Sequence, residues 1–420
     1  MAVVPLINEQ LAELNGLMAH QNLLISQLIT PGSATPAAEL AEIHHIVQSG
    51  EAPNVFDIGD QLLLNYNDGS NSYVLPWDIV HFGDVTLEDG ETVPGMFLQS
   101  HYAMQAVQFD ASEAIYVAAA AMAPGTYHFT IGTNWGTNCV QGKSYQFTTT
   151  VEIPEGGVIV IGAADSFYTW GALDQAPTNW KAYTFATNAS VTPLDNALTL
   201  TEGTGGTDLG TIASNIVAGT TNPNNLQRAA YGYNRWRDSA MRQFLNSDAL
   251  AGAWWSAKNT FDRPPKQLAT LRGFKKGFDD AFLNIIKPVQ VKTLLNTITD
   301  GASSNDTTHD TTYDTFFLPA LYQEYIVPQV SSGNEAIEGD YWEYWKQRLG
   351  LSTPQVTGAP GTNVNHIRYG YDAKATAQHC RLRSAIRGAA HYAWHVTTSG
   401  AATNDNATYA FRGCPACVIC

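Results

Sequence analysis

The chain has 420 residues, of which 14% are charged, and 38 acidic residues against 22 basic ones give a net charge of −16. That excess argues against nonspecific binding to nucleic acid or to an anionic membrane, because phosphate recognition requires a basic footprint. The length exceeds one typical domain, so two or three compact units are expected, with apolar and aromatic residues enough for a large core.

Residues 1–45 form a first segment. Met1-Ala2-Val3-Val4-Pro5 lacks the positive stretch of a secretory signal, and no apolar run reaches the roughly 18 residues needed to span a bilayer. A soluble product is expected. Leu6, Leu11, Leu14, Leu17, Met18, Leu23, Leu24, Leu28 and Ile29 recur at spacings of three and four, which predicts a helix with a broad apolar stripe over residues 5–30. Such a stripe packs against a partner subunit or particle, or folds back on its own domain. Pro31-Gly32-Ser33 and Pro36 mark a linker.

From 46 to 110 the signals are strand and turn. Phe56-Asp57-Ile58-Gly59-Asp60 leads into Leu62-Leu63-Leu64, Asn67-Asp68-Gly69 is a hairpin turn, and Trp77 to Phe82 reads as a strand before Asp89-Gly90. A first helix of this unit is expected near Leu98 to Met104. Between 111 and 215 the composition shifts to Thr, Gly and aromatics. Tyr127, Phe129 and Ile131 alternate with polar residues, as do Tyr145, Phe147, Thr149, Val151 and Ile153. Period two marks half-buried antiparallel strands, so this stretch reads as an all-β insert.

Residues 216–420 resume a helical pattern. Trp236, Ala240 and Phe244 fall four apart, predicting about 12 helical residues from Asn234. A short helix carrying Phe278, Phe282 and Ile286, a strand from Val289 to Ile298, a polar loop from Asp300 to Asp314, and a short helix through Tyr325 are expected next.

Four groups of residues could carry chemistry. The Asp300, Asp306, Asp310 and Asp314 carboxylates suit calcium, but the twelve-residue loop with its central Gly is missing, and a solvated loop is the plainer expectation. Glu335, Glu338, Asp340 and Glu343 resemble paired glycosidase carboxylates, or else a surface loop entering a helix. His391 and His395 lie four apart in a strand-like alternation, about 13 Å on one face, too far to share a metal. Cys139, Cys380, Cys414, Cys417 and Cys420 are odd in number, which suits neither a disulfide framework nor, without His391 or His395, a four-ligand zinc site. Small buried thiols on a terminal strand are expected instead. No phosphate-cradling loop and no nucleophile elbow occurs. Neither catalysis nor a cofactor nor a metal is read from the residues.

Several segments carry a resemblance. Asn234-Arg235-Trp236 with Ser239, Ala253-Trp254-Trp255, Phe261-Asp262-Arg263-Pro264-Pro265, Gly277-Phe278, Val289-x-Val291-Lys292-Thr293 and Phe317-Leu318-Pro319 resemble bacterial and bacteriophage proteins of the C-type lectin superfamily, whose fold is like that of formylglycine-generating enzymes. The tail from Arg381-Leu382-Arg383-Ser384 through Arg387-Gly388, Trp394 and Ser399-Gly400 to Pro415-Ala416-Cys417-Val418-Ile419 resembles the variable proteins of diversity-generating retroelements. The resemblance is firm from Asn222 onward and looser over 46–110. It implies an α+β, C-type-lectin-like fold with the all-β insert and an N-terminal helix. It also implies a binding protein on a phage virion, made in the bacterial cytoplasm, recognising a bacterial surface protein or glycan through a diversified region, 366–420. The N-terminal helix would serve virion attachment or self-association.

A codon restriction follows from that resemblance. Adenine-directed mutation of an Asn codon that leaves the final pyrimidine never yields Glu, Gln, Lys, Met or Trp. Residues 366–420 contain no Glu and no Met, and Lys374, Gln378 and Trp394 occur once each. The variable face implied is Tyr371, Asp372, His379, Ile386, His391, Tyr392, His395, Thr403, Asn404, Asp405, Tyr409 and Phe411. The scaffold is Arg381, Arg383, Arg387, Trp394 and Gly400, with the arginines expected to hold backbone carbonyls. Strand parity sets Trp394 and Val396 opposite Ala393 and His395, so a core Trp394 would turn His395 outward. Exposed aromatic and small polar residues suit a recognition surface. Two alternatives stand beside it: an oxidase using Cys380 with Cys414, Cys417 or Cys420, and a structural virion protein whose Tyr409 and Phe411 pack against neighbouring subunits.

Overall fold

The computed structural model describes Met18, Gln21 and residues 32–134, 137–163, 173, 176–212, 226–295, 307–329, 333–358, 363–387 and 389–420. The helix expected over 5–30 lies outside the described residues except for Met18 and Gln21, both helical and exposed; Gly388 also lies outside them.

Helix α1 (Ala37–Gln48) follows the linker within the first segment and runs three residues into the stretch read as strand and turn from Ile46; Leu40, Ile43, Ile46 and Val47 fall at helical spacing and are buried. After α2 (Ala52–Val55) come β1 (Gln61–Asn67), β2 (Ser72–Thr86) and β3 (Thr92–Ser100) in an antiparallel meander. The β1–β2 turn closes where Asn67-Asp68-Gly69 predicts: Gly69 N–H donates to Asn67 Oδ1 at 2.8 Å, and Asp68 Oδ1 accepts from Ser70 and Asn71 N–H. Residues 98–100, expected to begin a helix, continue β3. They are paired on both sides, Leu98 with Ile79 of β2 and with Cys417, so sheet pairing outweighs local helical spacing. Strand β4 (Val107–Gln108) follows.

The insert contains β5 (Tyr116–Val117), β6 (Gly125–Ile131), β7 (Ser144–Thr149), β8 (Val158–Ala163), β9 (Trp180–Phe185), β10 (Asp195–Thr199), β11 (Thr201–Glu202) and β12 (Thr207–Ile212). They form two four-stranded sheets, β10-β9-β8-β5 and β11-β7-β6-β12. Phe129, Tyr145, Phe147, Ile159, Ile161 and Trp180 fill its core, separate from that of the flanking segments. Helix α3 (Leu226–Tyr231) gives Leu226, Ala229 and Tyr231 to the same core, so the insert's packing extends past residue 215.

In the last segment a 3-10 turn, Trp236–Asp238, and a six-residue α4 (Ala240–Leu245) replace the longer helix predicted from Asn234. Ser239 divides them, its Oγ accepting from Arg242 N–H at 3.1 Å as an N-cap. Then come α5 (Asp280–Leu283), β13 (Val289–Leu294) and β14 (His309–Asp314). Part of the predicted polar loop is thus a strand. Its Asp310 takes Arg235 and Arg237, and its Asp314 takes Arg242 at 2.6 Å and Trp236 Nε1 at 3.0 Å. Those carboxylates are occupied by cations of the chain itself; Asp300 and Asp306 lie outside the described residues. The segment expected to be helical through Tyr325 is a turn leading to β15 (Ile326–Val327).

The chain continues through α6 (Glu343–Leu349), β16 (Gln355–Val356), β17 (Arg368–Gly370) and β18 (Ala373–Gln378). It ends with β19 (Cys380–Ala385), β20 (Tyr392–Val396), β21 (Ala402–Asn406), β22 (Ala410–Gly413) and β23 (Ala416–Ile419). Strand β23 pairs antiparallel with β3 and completes the sheet β1-β2-β3-β23. All four β23 residues are buried, as an apolar run covered on both faces requires. Gly95 of β3 lets β23 approach, since a Cβ there would meet Val418 Cγ1 at 2.8 Å. Strand β4 joins the second sheet, β21-β20-β19-β22-β4. The segments before and after the insert therefore share both sheets. The chain is mixed α and β, mostly sheet, with short helices.

Candidate functional site

The sheet β21-β20-β19-β22-β4 carries most of the positions singled out from the sequence, and its register divides them between two faces. Across β20 and β21, Trp394 stands opposite Asn404 and His395 opposite Thr403, while His395 also pairs with Arg381 of β19. Alternation then places Trp394 and Asn404 on one face, and His395, Thr403 and Arg381 on the other.

The Trp394 face is concave. A cavity of about 310 Å³ lies between it and residues 328–329, 335–338 and 357–358. Trp394, Ile386, Leu321 and Leu294 form its apolar wall, and Asn404, Gln329 and Glu335 are among its polar lining. Trp394 is half-buried and packs on Leu321, Leu382, Val396 and Ala402. The expected polarity of the strand is reversed here: Trp394 faces the cavity, whereas His395 is only 2% exposed. The parity was correct, but the concave side is wide enough for the indole and the opposite side is filled by rings.

Glu335 and Glu338, read as a surface cluster, are buried. Glu338 accepts from Ser384 Oγ at 2.6 Å and Leu294 N–H at 3.1 Å, and burial pushes its carboxyl up. Arg383 sits beneath the loop, donating to Leu318 O at 2.9 Å, Gln323 Oε1 at 2.5 Å and Glu338 O. The sequence offered these glutamates as paired carboxylates or as a surface loop, and could not show them buried, because a 3-10 turn in a loop has no periodicity to read.

On the opposite face, His379 stacks on Phe411 at 4.7 Å, His395 meets the same ring at 4.8 Å, and the two imidazoles are 5.1 Å apart. Burial and the Arg381 guanidinium hold the His395 imidazole at about 2. Tyr409 lies 5.8 Å from Phe411, and burial raises the half-buried Asp405 carboxyl. Beneath them Arg381, wholly buried, donates to the carbonyls of Ala393 at 2.8 Å, Asp405 at 3.0 Å, Asn406, and Tyr409 at 3.4 Å. Its guanidinium carbon is 4.6 Å from the Phe411 ring centre.

Other singled-out residues are elsewhere. Tyr371 is buried, its hydroxyl donating to Asp68 Oδ2 at 3.0 Å, and His391 is buried on Tyr231 at 5.3 Å. Neither presents an open contact surface, because each fills a gap between segments. Asp372 is exposed and pairs with Arg412 at 3.0 Å, and half-buried Tyr392 lies 4.0 Å from His391. Arg387 lines the Trp394 cavity. Gly400 has φ +81° and a Cβ there would stand 2.0 Å from Asn363 O, which explains its place in the frame. Cys380 and Cys414 thiols are 3.7 Å apart and buried, and Cys414 together with burial pushes the Cys380 thiol up, away from thiolate. Among the described residues no group of three or more His, Cys, Asp or Glu is placed to hold a metal ion.

Residues 211–419 match the model of a domain of unknown function, DUF6273, which spans both faces of this sheet. Comparisons with curated proteins and with solved structures found no match.

Proposed function

We propose that this chain is a binding protein, not an enzyme, and that the Trp394 cavity holds one sugar unit of a bacterial surface glycan. The observation that carries the reading is the cavity itself: an indole and aliphatic wall facing an amide and carboxyls, in a volume of about 310 Å³. That volume is at the lower end for small-molecule sites, and a mixed apolar and hydrogen-bonding lining suits a ring with apolar faces and hydroxyl edges. A protein partner is less well matched to a concavity of this size than to an open face.

In this reading the two sheets and the flanking helices are a C-type-lectin-like domain, with β5–β12 inserted into it. Ile386 and Asn404 at the cavity, and His379, Thr403, Asp405, Tyr409 and Phe411 on the other face, are diversified positions of a retroelement variable protein. Display in many copies on a phage virion would multiply weak single-site affinity. Titration calorimetry with oligosaccharides from candidate host envelopes tests this. Saturable binding that weakens at least tenfold in both Trp394→Ala and Asn404→Ala is expected. Binding unchanged in both variants would overturn the assignment, as would binding only to an envelope protein. Oxidation of a thiol substrate that disappears in Cys380→Ser would favour the oxidase alternative instead.

A further inference from the structure

A second cavity, of about 350 Å³, lies at the junction of the insert and the last segment. The chain has 22 basic residues among 420 and is strongly acidic overall, yet Arg228, Arg235, Arg237 and Lys258 all line this one space, with Tyr233 and Asn259 between them. A chance grouping of four cations is improbable at that frequency, and each has a structural reason for its position.

Arg228 comes from α3 and donates through Nε to Glu113 Oε1 at 3.0 Å, its guanidinium 3.8 Å from the Tyr233 ring centre. Arg235 and Arg237 flank Trp236, whose buried indole is tied to Asp314. The preceding Asn234 donates from Nδ2 to Ala389 O and Tyr392 O, both at 2.7 Å, and its N–H to Ala390 O at 2.8 Å. The arginines thus stand on a backbone fixed to the 389–392 loop. Lys258 is exposed and donates to Ser256 Oγ at 3.3 Å.

The carboxylates nearby orient these cations from behind. Asp310, with its side chain 8% exposed, takes Arg235 and Arg237, and Glu113, at 1%, takes Arg228. Asp238 is itself part of the lining and meets Arg237 at 3.3 Å. Arg237 uses Nε and Nη1 for these contacts, and a guanidinium carries five N–H donors. Two further acids behind the cavity, Asp110 and Asp262, are buried, and burial pushes both carboxyls up, Asp262 to about 7. Their charge therefore offsets the rim cations only in part.

We propose that this cavity is an oxyanion-binding site, taking the phosphate or carboxylate of a compact solute between Arg237, Lys258, the half-buried Arg235 and the buried Arg228. Guanidinium forks match both groups bidentately. A long polyanion is excluded, because the rest of the surface is acidic and repels it. The site is independent of the Trp394 cavity and does not rest on the glycan reading.

Inorganic phosphate and glucuronate are the probes, titrated into the full chain against chloride at matched ionic strength, with melting temperature and calorimetry as readouts. Binding only the native state raises the midpoint with ligand concentration. The expected result is a rise with at least one probe. Arg237→Ala/Lys258→Ala should weaken that binding roughly tenfold or more, with each protein read against its own midpoint in chloride, since both groups supply charge-assisted bonds to the anion. Lys346→Ala, a distant exposed charge, should bind as the parent does. Response to phosphate alone assigns a phosphoryl ligand, and response to glucuronate alone a carboxylate. Equal midpoints in all three salts, or the same loss in Lys346→Ala as in the double variant, would overturn the site.

Discussion

Replacing Arg381 by Met tests whether the frame beneath the candidate face is built from backbone bonds. The arginine side chain is wholly buried, and its two terminal nitrogens donate to four carbonyls drawn from β20, β21 and the turn after β21. Methionine fills a similar volume and removes the desolvation that holds this guanidinium at about 9, which favours the variant. Against that gain, at least two carbonyls lose their donor in a dry interior at about 1–3 kcal/mol each. Stripping one side of a buried charged network costs about 3–5 kcal/mol in comparable cases. A net loss of roughly 3 kcal/mol is expected, a large share of a typical stability of about 5–15 kcal/mol. Urea denaturation followed by tryptophan fluorescence measures it. Thr403→Asn, on the same face but bonded through no buried network, should change stability by less than about 0.5 kcal/mol. A loss below about 1 kcal/mol for Arg381→Met would refute the reasoning, because the carbonyls would then be shown to find other donors.

Further outcomes follow from other sites. Burial pushes the Glu324 carboxyl up to about 7, above its unfolded value, so the folded state holds an extra proton between roughly pH 4.5 and 7 and loses stability as pH rises through that window. Glu324→Gln keeps the acceptor for Gln99 and should flatten the decline between pH 5 and pH 8 by about 3 kcal/mol in thermal or urea titrations; an unchanged slope counts against it. His366 is held at about 3 by burial, below its unfolded value, and so contributes stability that is lost as pH falls below about 6.5. His366→Gln should remove that part of the acid sensitivity, read from denaturation midpoints at pH 7 and pH 4.5. Gly400→Ala places a Cβ against Asn363 O at positive φ, and a loss of at least about 2 kcal/mol is expected from calorimetric melting.

Much of the architecture was legible because strands written as alternation or as short apolar runs remain strands. The Tyr127 and Tyr145 alternations form β6 and β7, and Ala416 to Ile419 forms a strand buried on both faces. What failed was decided by distant partners. Leu98 lies in sheet because β2 and β23 pair with it from either side, and Asp310 and Asp314 lie in a strand whose acids meet arginines some seventy residues earlier. The candidate face shows the same limit. Period two correctly set Trp394 opposite His395, but which side was concave depended on Pro328, Gln329 and the 3-10 turn 335–338, which carry no periodic signal. Tyr371 and His391 read as surface chemistry, although rings brought from Tyr66, Tyr73 and Tyr231 enclose them.

The pairing of β23 with β3 has a meaning for synthesis. Ribosomes deliver the chain from its amino end, so the first sheet waits with an open, aggregation-prone edge until more than three hundred further residues have emerged. The strands of the candidate face are translated just before the strand that seals that edge. A frameshift or stop within the face would leave the seal missing and the product visible to proteases, whereas a change of side chain that spares the backbone would not. Completion of the fold thereby acts as a check that the chain has been translated through its last strand.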